Sequence, residues 1–405
     1  MRLTNAHVRH YRSVSDVNVD LHPAVTVLVG PNASGKSNFV DALRFLRDAA
    51  RDGLDHAIVA RGGIARIRQN SSGRPYNLGL TIGTLQRFDQ DIEFPGAYAM
   101  EIGSTSGGNF RVEREEASCY QEEVFSNSHP DSWEKEFGYV LEGFSRDKSG
   151  KIIQKNSVPA RTYSLDEHDR LALGTLIGDY AFHGLAEPLE SYIRSWKFSA
   201  LYPNTLRQLT TPDAEAELRE DGSNWASVIR AAKRSHKGKQ MLDRIYEMMR
   251  VVLPDFIDVS VTTAGSYLVP NFRFESKDKT SRQFDPVQLS DGTLRIFGIL
   301  LSLYQTPAPS LIVIEEPEQT VHPAVLSMLA EAFKEVAELT QIIVTTHSPQ
   351  LIEHFEPGNI RIVTMQDGAT RIAPIKASQR EAVQRGLMTL GEFMAAEGLQ
   401  PEESR

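Results

Sequence analysis

The stretch that most constrains this chain is Val27–Asn38, VLVGPNASGKSN. The apolar run AVTVLV stops at Gly30 and reads as a buried strand. SNFVDALRFLRDAA follows, with Phe39, Ala42, Leu43 and Leu46 on one face of a helix. Between them, Gly30-Pro-Asn-Ala-Ser-Gly35-Lys36-Ser37 fits the pattern G-x-x-x-x-G-K-[ST]. Such a loop wraps backbone N–H groups around a phosphate chain. Its glycines permit the close approach, Lys36 neutralises the β- and γ-phosphates, and the Ser37 hydroxyl ligates magnesium. The positive end of the helix points at the same place.

A phosphate cradle needs an acid on the metal side and a means of activating water. Residues 311–316, LIVIEE, supply both: a buried strand that ends in Glu315-Glu316. Successive side chains of a strand point to opposite faces. Glu315 is therefore expected in the magnesium shell and Glu316 against the attacking water. The strand QIIVTTHSPQ, residues 341–350, ends near His347, which is placed to bond the γ-phosphate or to precede a helix capped by Ser348-Pro349. In QLSDGTLRI, Ser290-Asp291-Gly292 opens an apolar helical run. Ser290 and Gly292 read as a second anion cradle or as simple helix capping.

The order of these pieces resembles the ABC-type ATPases, in their RecF/SMC/Rad50-like branch. GPNASGKSN resembles the Walker A loop, so Gly30, Asn32, Ser34, Gly35, Lys36, Ser37 and Asn38 are the expected nucleotide-binding residues. LSDGT resembles the signature LSGGQ, with Asp291 and Thr293 as departures. LIVIEEPE resembles Walker B, with Glu315 in place of the usual aspartate, and TVHP (320–323) resembles the D-loop. His347 falls at the switch histidine, and HVRHYRSVSDVNVDL resembles the opening strand pair, with Arg12 approaching the nucleotide. Gln69, in IARIRQN, is the candidate for the Q-loop. LREDGSNWASVIR (218–230) and LMTLGEFMAAEGL (387–399) are similar to segments of the bacterial AAA_21/AAA_15 single-head ATPases related to OLD proteins. The resemblance implies ATP and Mg²⁺ as cofactors, Lys36, Glu316 and His347 as catalytic groups, and Ser37 and Glu315 as metal ligands. It also implies a homodimer with two ATP molecules sandwiched between Walker A of one copy and the signature of the other.

The fold class expected is α/β: a P-loop ABC ATPase head with a mixed sheet, an antiparallel β subdomain and a helical lobe insert, without a long coiled coil. The divisions expected are 1–65, the first half of the head; 66–283, a compact insert, β then helical; 284–375, the second half; and 376–405, a helical tail. The insert carries no sustained heptads and no Cys-x-x-Cys hook. Within it Arg230, Lys233, Arg234, Lys237 and Lys239 form a basic cluster. They read as a phosphate-contacting patch or as a solvated helix end. Arg194, Trp196 and Lys197 read as packing. The formal net charge of −9 argues against a uniformly basic nucleic-acid binder but leaves room for a local patch.

No stretch approaches a membrane span, and the N-terminus lacks the apolar core of a secretory signal. The single cysteine, Cys119, excludes an internal disulfide. A cytoplasmic protein is expected, with no membrane partner and no nuclease of its own. The function expected is a dimeric ATPase that couples an ATP-closed state to duplex DNA or to a separate effector subunit, a nuclease or toxin, in phage defence or DNA maintenance. The alternative is a slow ATP switch that holds or releases a partner without binding DNA. A transporter's ATPase subunit is disfavoured by the compact insert.

Overall fold

The computed structural model describes residues 1–69, 76–89, 92–105, 108–120, 140–155, 161–167, 169–176, 186–214 and 217–402. Three sheets organise them. The first is antiparallel and eight-stranded. It begins with the N-terminal hairpin Arg2–Tyr11 and Val14–Asp20, and continues through Leu78–Asp89, Ile92–Ser104, Phe110–Tyr120, Val140–Asp147, Lys151–Lys155 and Thr162–Ser164. A register shift between Leu3 and Asn5 changes the parity of the first strand, so Leu3, Ala6 and Val8 all turn inward.

The second sheet carries the chemistry. Its order is Lys197–Ser199, Leu311–Glu315, Gln341–Thr346, Val25–Val29, Ile360–Gln366 and Ala369–Pro374. All pairs are parallel except the last. Its central strands are covered on both faces, which is why they read as unbroken apolar runs rather than alternating ones. The alternation is still present in where they pack. Leu28, Leu311, Val313, Ile343 and Val363 face one core, shared with the antiparallel sheet and the Lys36–Asp52 helix. Val27, Val29, Ile312, Ile314, Ile342 and Val344 face the other, shared with the helices Asp291–Leu303, Leu326–Val336 and His236–Val252.

The described residues within 66–283 join the rest of the chain at three places. The strands from Leu78 to Ser164 widen the sheet begun by the N-terminal hairpin. Lys197–Ser199 pairs with Ile312–Ile314 at the edge of the parallel sheet. The third sheet, Phe256–Ala264, Tyr267–Glu275 and Ser281–Phe284, packs with Trp225 onto Phe297 of the Asp291–Leu303 helix, with ring centroids 5.0 and 5.7 Å away for Phe272 and Trp225. Trp196 is fully buried, edge-on to Tyr192, as packing requires. Among the described residues the longest helices have 17 residues, and none is long and apolar enough to cross a membrane. Beyond the last strand lie the short helices Ala377–Gln384 and Leu390–Ala396.

Candidate functional site: a phosphate loop, an acidic turn and a signature helix

The strand Val25–Val29 delivers the chain to Gly30, and the helix starts at Lys36. Two glycines make the loop possible. A Cβ on Gly30 would stand 2.2 Å from the Val363 carbonyl oxygen. One on Gly35, at φ 102°, would stand 1.9 Å from Thr370 Oγ1. The first turn of the helix contains no acidic residue, so its positive end is not cancelled from within. Lys36 is 5% exposed and donates to the carbonyls of Gly30 at 2.7 Å and Pro31 at 2.9 Å. Burial pushes its pKa down, against the pull of Glu316, Glu318 and Glu315. Ser37 and Asn32 are exposed, and the buried Ser34 hydroxyl has no hydrogen-bond partner. Asn38 donates to Ser13 Oγ at 2.7 Å, and Ser13 in turn meets Thr370 Oγ1 at 2.6 Å, which ties the hairpin turn to the loop.

Arg12 occupies that turn at φ 48° and lies 3.0 Å from Asp41 on the phosphate-loop helix. Asp41 also accepts from Tyr11 at 2.6 Å and pairs with Arg61 at 3.2 Å. Arg12, Arg66, Arg68, Gln69 and Gly368 line one open cleft of about 490 Å³. Gln69 therefore lies on the hairpin side, its amide engaged by Ser15 and His10.

The acidic end of Leu311–Glu315 departs from the simple strand picture. Glu315 is the last strand residue, with Arg44 3.3 Å away. Glu316 sits at φ 45° and its N–H reaches the Thr345 carbonyl at 2.9 Å. The pleat ends one residue early, so a left-handed turn, not strand alternation, aims the second acid. A glutamate in that region costs about 1–3 kcal/mol, a strain that clusters at functional sites. Glu316 accepts from Gln319 and lies 3.9 Å from His347 Nδ1.

Two residues passed over in the sequence hold this turn together. Glu318, with a side chain 9% exposed, accepts from Thr346 Oγ1 at 2.6 Å and from the His347 N–H at 3.0 Å, and faces His347 Nδ1 at 3.3 Å. Nε2 is left on the far side of the ring. The only sign of this in the sequence was a third acid in EEPEQ. Ser348 does cap the following helix, accepting from Leu351 N at 3.2 Å, so the two roles read for this segment are compatible. Arg295 is 4% exposed and donates to the carbonyls of Glu315 at 2.8 Å and Glu316 at 3.2 Å. Burial lowers its pKa. Its sign was an arginine inside the apolar run LRIFGILL.

Arg295 belongs to the Asp291–Leu303 helix, so the acidic turn and the signature helix are joined within one chain. At that helix's start Ser290 accepts from Thr293 N at 3.2 Å, and both Ser290 and Asp291 are exposed. A Cβ on Gly292 would meet the Thr320 carbonyl oxygen at 2.7 Å, so the glycine lets the helix rest on the TVHP turn. The basic cluster lies elsewhere, at the junction of the helices Trp225–Ala232 and His236–Val252. Arg234, Lys237 and Lys239 are exposed there, and Arg230 and Lys233 are half-buried.

Residues 25–353 match the AAA_21 family, described as "AAA domain, putative AbiEii toxin, Type IV TA system". The chain belongs to the AAA_21 family. It is 38% identical over 61 residues to the DNA replication and repair protein RecF of Limosilactobacillus reuteri (strain DSM 20016), covering 15% of this chain and 16% of that protein. Against RecF of Streptomyces avermitilis the figures are 34% over 98 residues, 22% of this chain and 25% of the relative. The matches thus span a quarter or less of these curated relatives. A solved SMC head bound to the C-winged helix domain of ScpA is similar over 94% of this chain and 99% of that one, with TM-score 0.56 and 12% identity. The SMC head domain with an extended coiled coil, bound to the C-terminal domain of ScpA derived from Pyrococcus furiosus, is similar over 95% and 99%, with TM-score 0.52 and 10% identity. These structures share the fold. The AAA_21 chain described here thus resembles RecF over part of its sequence and SMC heads in its fold.

Proposed function

We propose that this AAA_21 protein hydrolyses ATP between two copies of itself. The observation that carries the proposal is the outward presentation of the signature end, with Ser290 and Asp291 exposed, while Arg295 ties the same helix to the acidic turn of its own chain. In this reading Gly30, Asn32, Ser34, Gly35, Lys36 and Asn38 form the cradle, Arg12 flanks the nucleotide, and Ser290 and Gly292 of one copy close on the ATP of the other. The exposed Ser37 hydroxyl and the Glu315 carboxylate are hard oxygen donors that suit magnesium. Magnesium, when bound, neutralises phosphate charge. Glu316 takes the proton of the attacking water and His347 Nε2 reports on the γ-phosphate.

The closed dimer would act on duplex DNA or on a separate effector subunit, a nuclease or toxin, in phage defence or DNA maintenance. The RecF name of the relatives and the ScpA domains bound to the SMC heads support a DNA-linked or partner-bound role. A second reading, a slow switch that contacts no DNA, is favoured by the net charge of −9.

Glu316→Gln tests the core of the proposal. Removing a general base lowers turnover about 10²–10⁴-fold, and the variant is expected to run as a dimer with ATP on size exclusion. A variant that stays monomeric with ATP rules out the sandwich. Steady-state hydrolysis with and without linear duplex DNA separates the two readings. Stimulation that is lost in Glu316→Gln supports DNA action, and a rate indifferent to DNA supports the switch. Reversing Lys233, Arg234 and Lys237 to Glu is expected to weaken duplex binding and to flatten its salt dependence. Unchanged affinity across a salt series removes that patch from the reading.

A further inference from the structure

Asp291 opens the signature helix with its carboxylate exposed, at the end where the helix dipole is positive. A carboxylate there favours its own helix but opposes a second anion at the same spot. It is not left alone. The Arg207 guanidinium lies 2.6 Å from Asp291 Oδ1 and donates to the Leu289 carbonyl at 2.9 Å. Arg207 comes from a different element, directly after the short helix Pro203–Leu206. That element is fixed independently of the ion pair. Trp225 Nε1 donates to the Leu206 carbonyl at 3.2 Å, and Leu201 and Leu206 pack against Gly298 of the signature helix.

The other arginine of this region, Arg295, is turned inward to the carbonyls of Leu201, Glu315 and Glu316. Of these two arginines, only Arg207 is placed to offset the charge of Asp291. The pair is 22% exposed on Arg207 and 55% on Asp291. An ion pair so open to water contributes little to folding. Its consequence lies in the field it presents at the surface.

We infer that Arg207 is a positioning residue for the ATP-closed dimer: it cancels the charge of Asp291, so that the signature end of the helix can accept the terminal phosphate bound by a second copy of the chain. This rests on the sandwich reading above. Without Arg207 an uncompensated carboxylate would meet a multiply charged phosphate, and closure would weaken by about tenfold or more.

The test uses the full chain carrying Glu316→Gln, with ATP-driven dimerisation followed by analytical ultracentrifugation across ATP concentration. Adding Arg207→Ala is expected to raise the ATP needed for half-dimerisation about tenfold. Adding Asp291→Asn to that variant is expected to restore it to within about twofold, because the repulsion is gone although Arg207 is still missing. Asp291→Asn with Arg207 retained is expected to dimerise at the parent's ATP concentration or lower, and this variant keeps the Arg207–Leu289 bond. Arg207→Ala that dimerises like its parent overturns the inference. So does a double variant as weak as Arg207→Ala, which would mean that Arg207 only holds Leu289, and so does Asp291→Asn that dimerises less well than the parent. Failure of the parent itself to dimerise defeats the sandwich reading and this inference with it, and is seen before any Arg207 variant is made.

Discussion

The two ends proposed to hold the nucleotide are built to opposite plans. The phosphate loop is closed in by its own chain. Gly30 is pressed to Val363, Gly35 to Thr370, and Lys36 is folded onto the carbonyls of its own loop. The signature helix is anchored deep in the core by Phe297 and Arg295, yet Ser290 and Asp291 at its start are exposed, held by Thr293 and Arg207, with Gly292 resting on the TVHP turn. One end is a pocket and the other a face. A face of this kind has a use only when something else brings the pocket to it, which is the physical content of the dimer proposed above.

The largest effect expected from breaking this contrast is at the glycines. Gly35→Ala would hold a non-glycine residue at φ 102° with its Cβ 1.9 Å from Thr370 Oγ1. The left-handed strain alone costs about 1–3 kcal/mol, and the clash adds to it. ATP binding is expected to fall at least about 100-fold by calorimetry. Gly292→Ala disturbs the face instead, with its Cβ 2.7 Å from the Thr320 carbonyl oxygen. It is expected to leave ATP binding to the chain's own loop close to wild type while turnover falls. Equal losses of ATP affinity in the two variants would contradict the division into pocket and face.

A smaller effect is expected at Glu318, which touches the pocket side only through its neighbours. Glu318→Gln keeps an acceptor for Thr346 and for the His347 N–H but removes the charge facing His347 Nδ1 at 3.3 Å. We expect kcat to fall about tenfold with KM nearly unchanged, as for an interaction made chiefly in the transition state. In a His347→Ala background the same change is expected to cost little more. Additive losses would show that Glu318 acts by some other route.

The same contrast explains what the sequence could and could not disclose. The phosphate loop was legible because its constraints are local: strand, glycines and helix lie within a few residues, and each has a residue type that states its role. The caps at Ser290 and Ser348 were legible for the same reason. Glu318, Arg295 and the Arg207–Asp291 pair were not, because their partners lie 20 to 94 positions away and a lone charged residue does not announce its contact. Lys197–Ser199 is too short to show a period, so its place in the parallel sheet emerges only from the pairing with Ile312–Ile314. Glu316 misled in a different way. Alternation along a strand predicts its direction, but the strand stops at Glu315 and the left-handed turn takes over.

The smallest effect concerns the far end of the signature helix. Tyr304, its C-terminal cap, donates to Glu335 at 3.0 Å, and Arg244 forms a two-pronged contact with the same carboxylate. The Arg244 hydrogen bonds hold the Glu335 carboxyl below its ordinary range, overcoming the opposing effect of partial burial. A carboxyl with a lowered pKa in the folded state contributes stability above its unfolded pKa, near 4.5, and loses it as pH falls through the folded value. Both side chains are 40% exposed, so the contribution is expected to stay below about 1 kcal/mol. Glu335→Gln should therefore lower the urea midpoint slightly at pH 7, and the gap from wild type should shrink as pH falls below 4.5. A gap that persists unchanged at low pH would mean that the clamp works through packing and Tyr304, not charge. In either case the phosphate loop, which among the described residues shares no hydrogen bond or ion pair with this clamp, is expected to keep its ATP affinity. A loss of affinity there would show that the pocket and the face are less separable than their geometry implies.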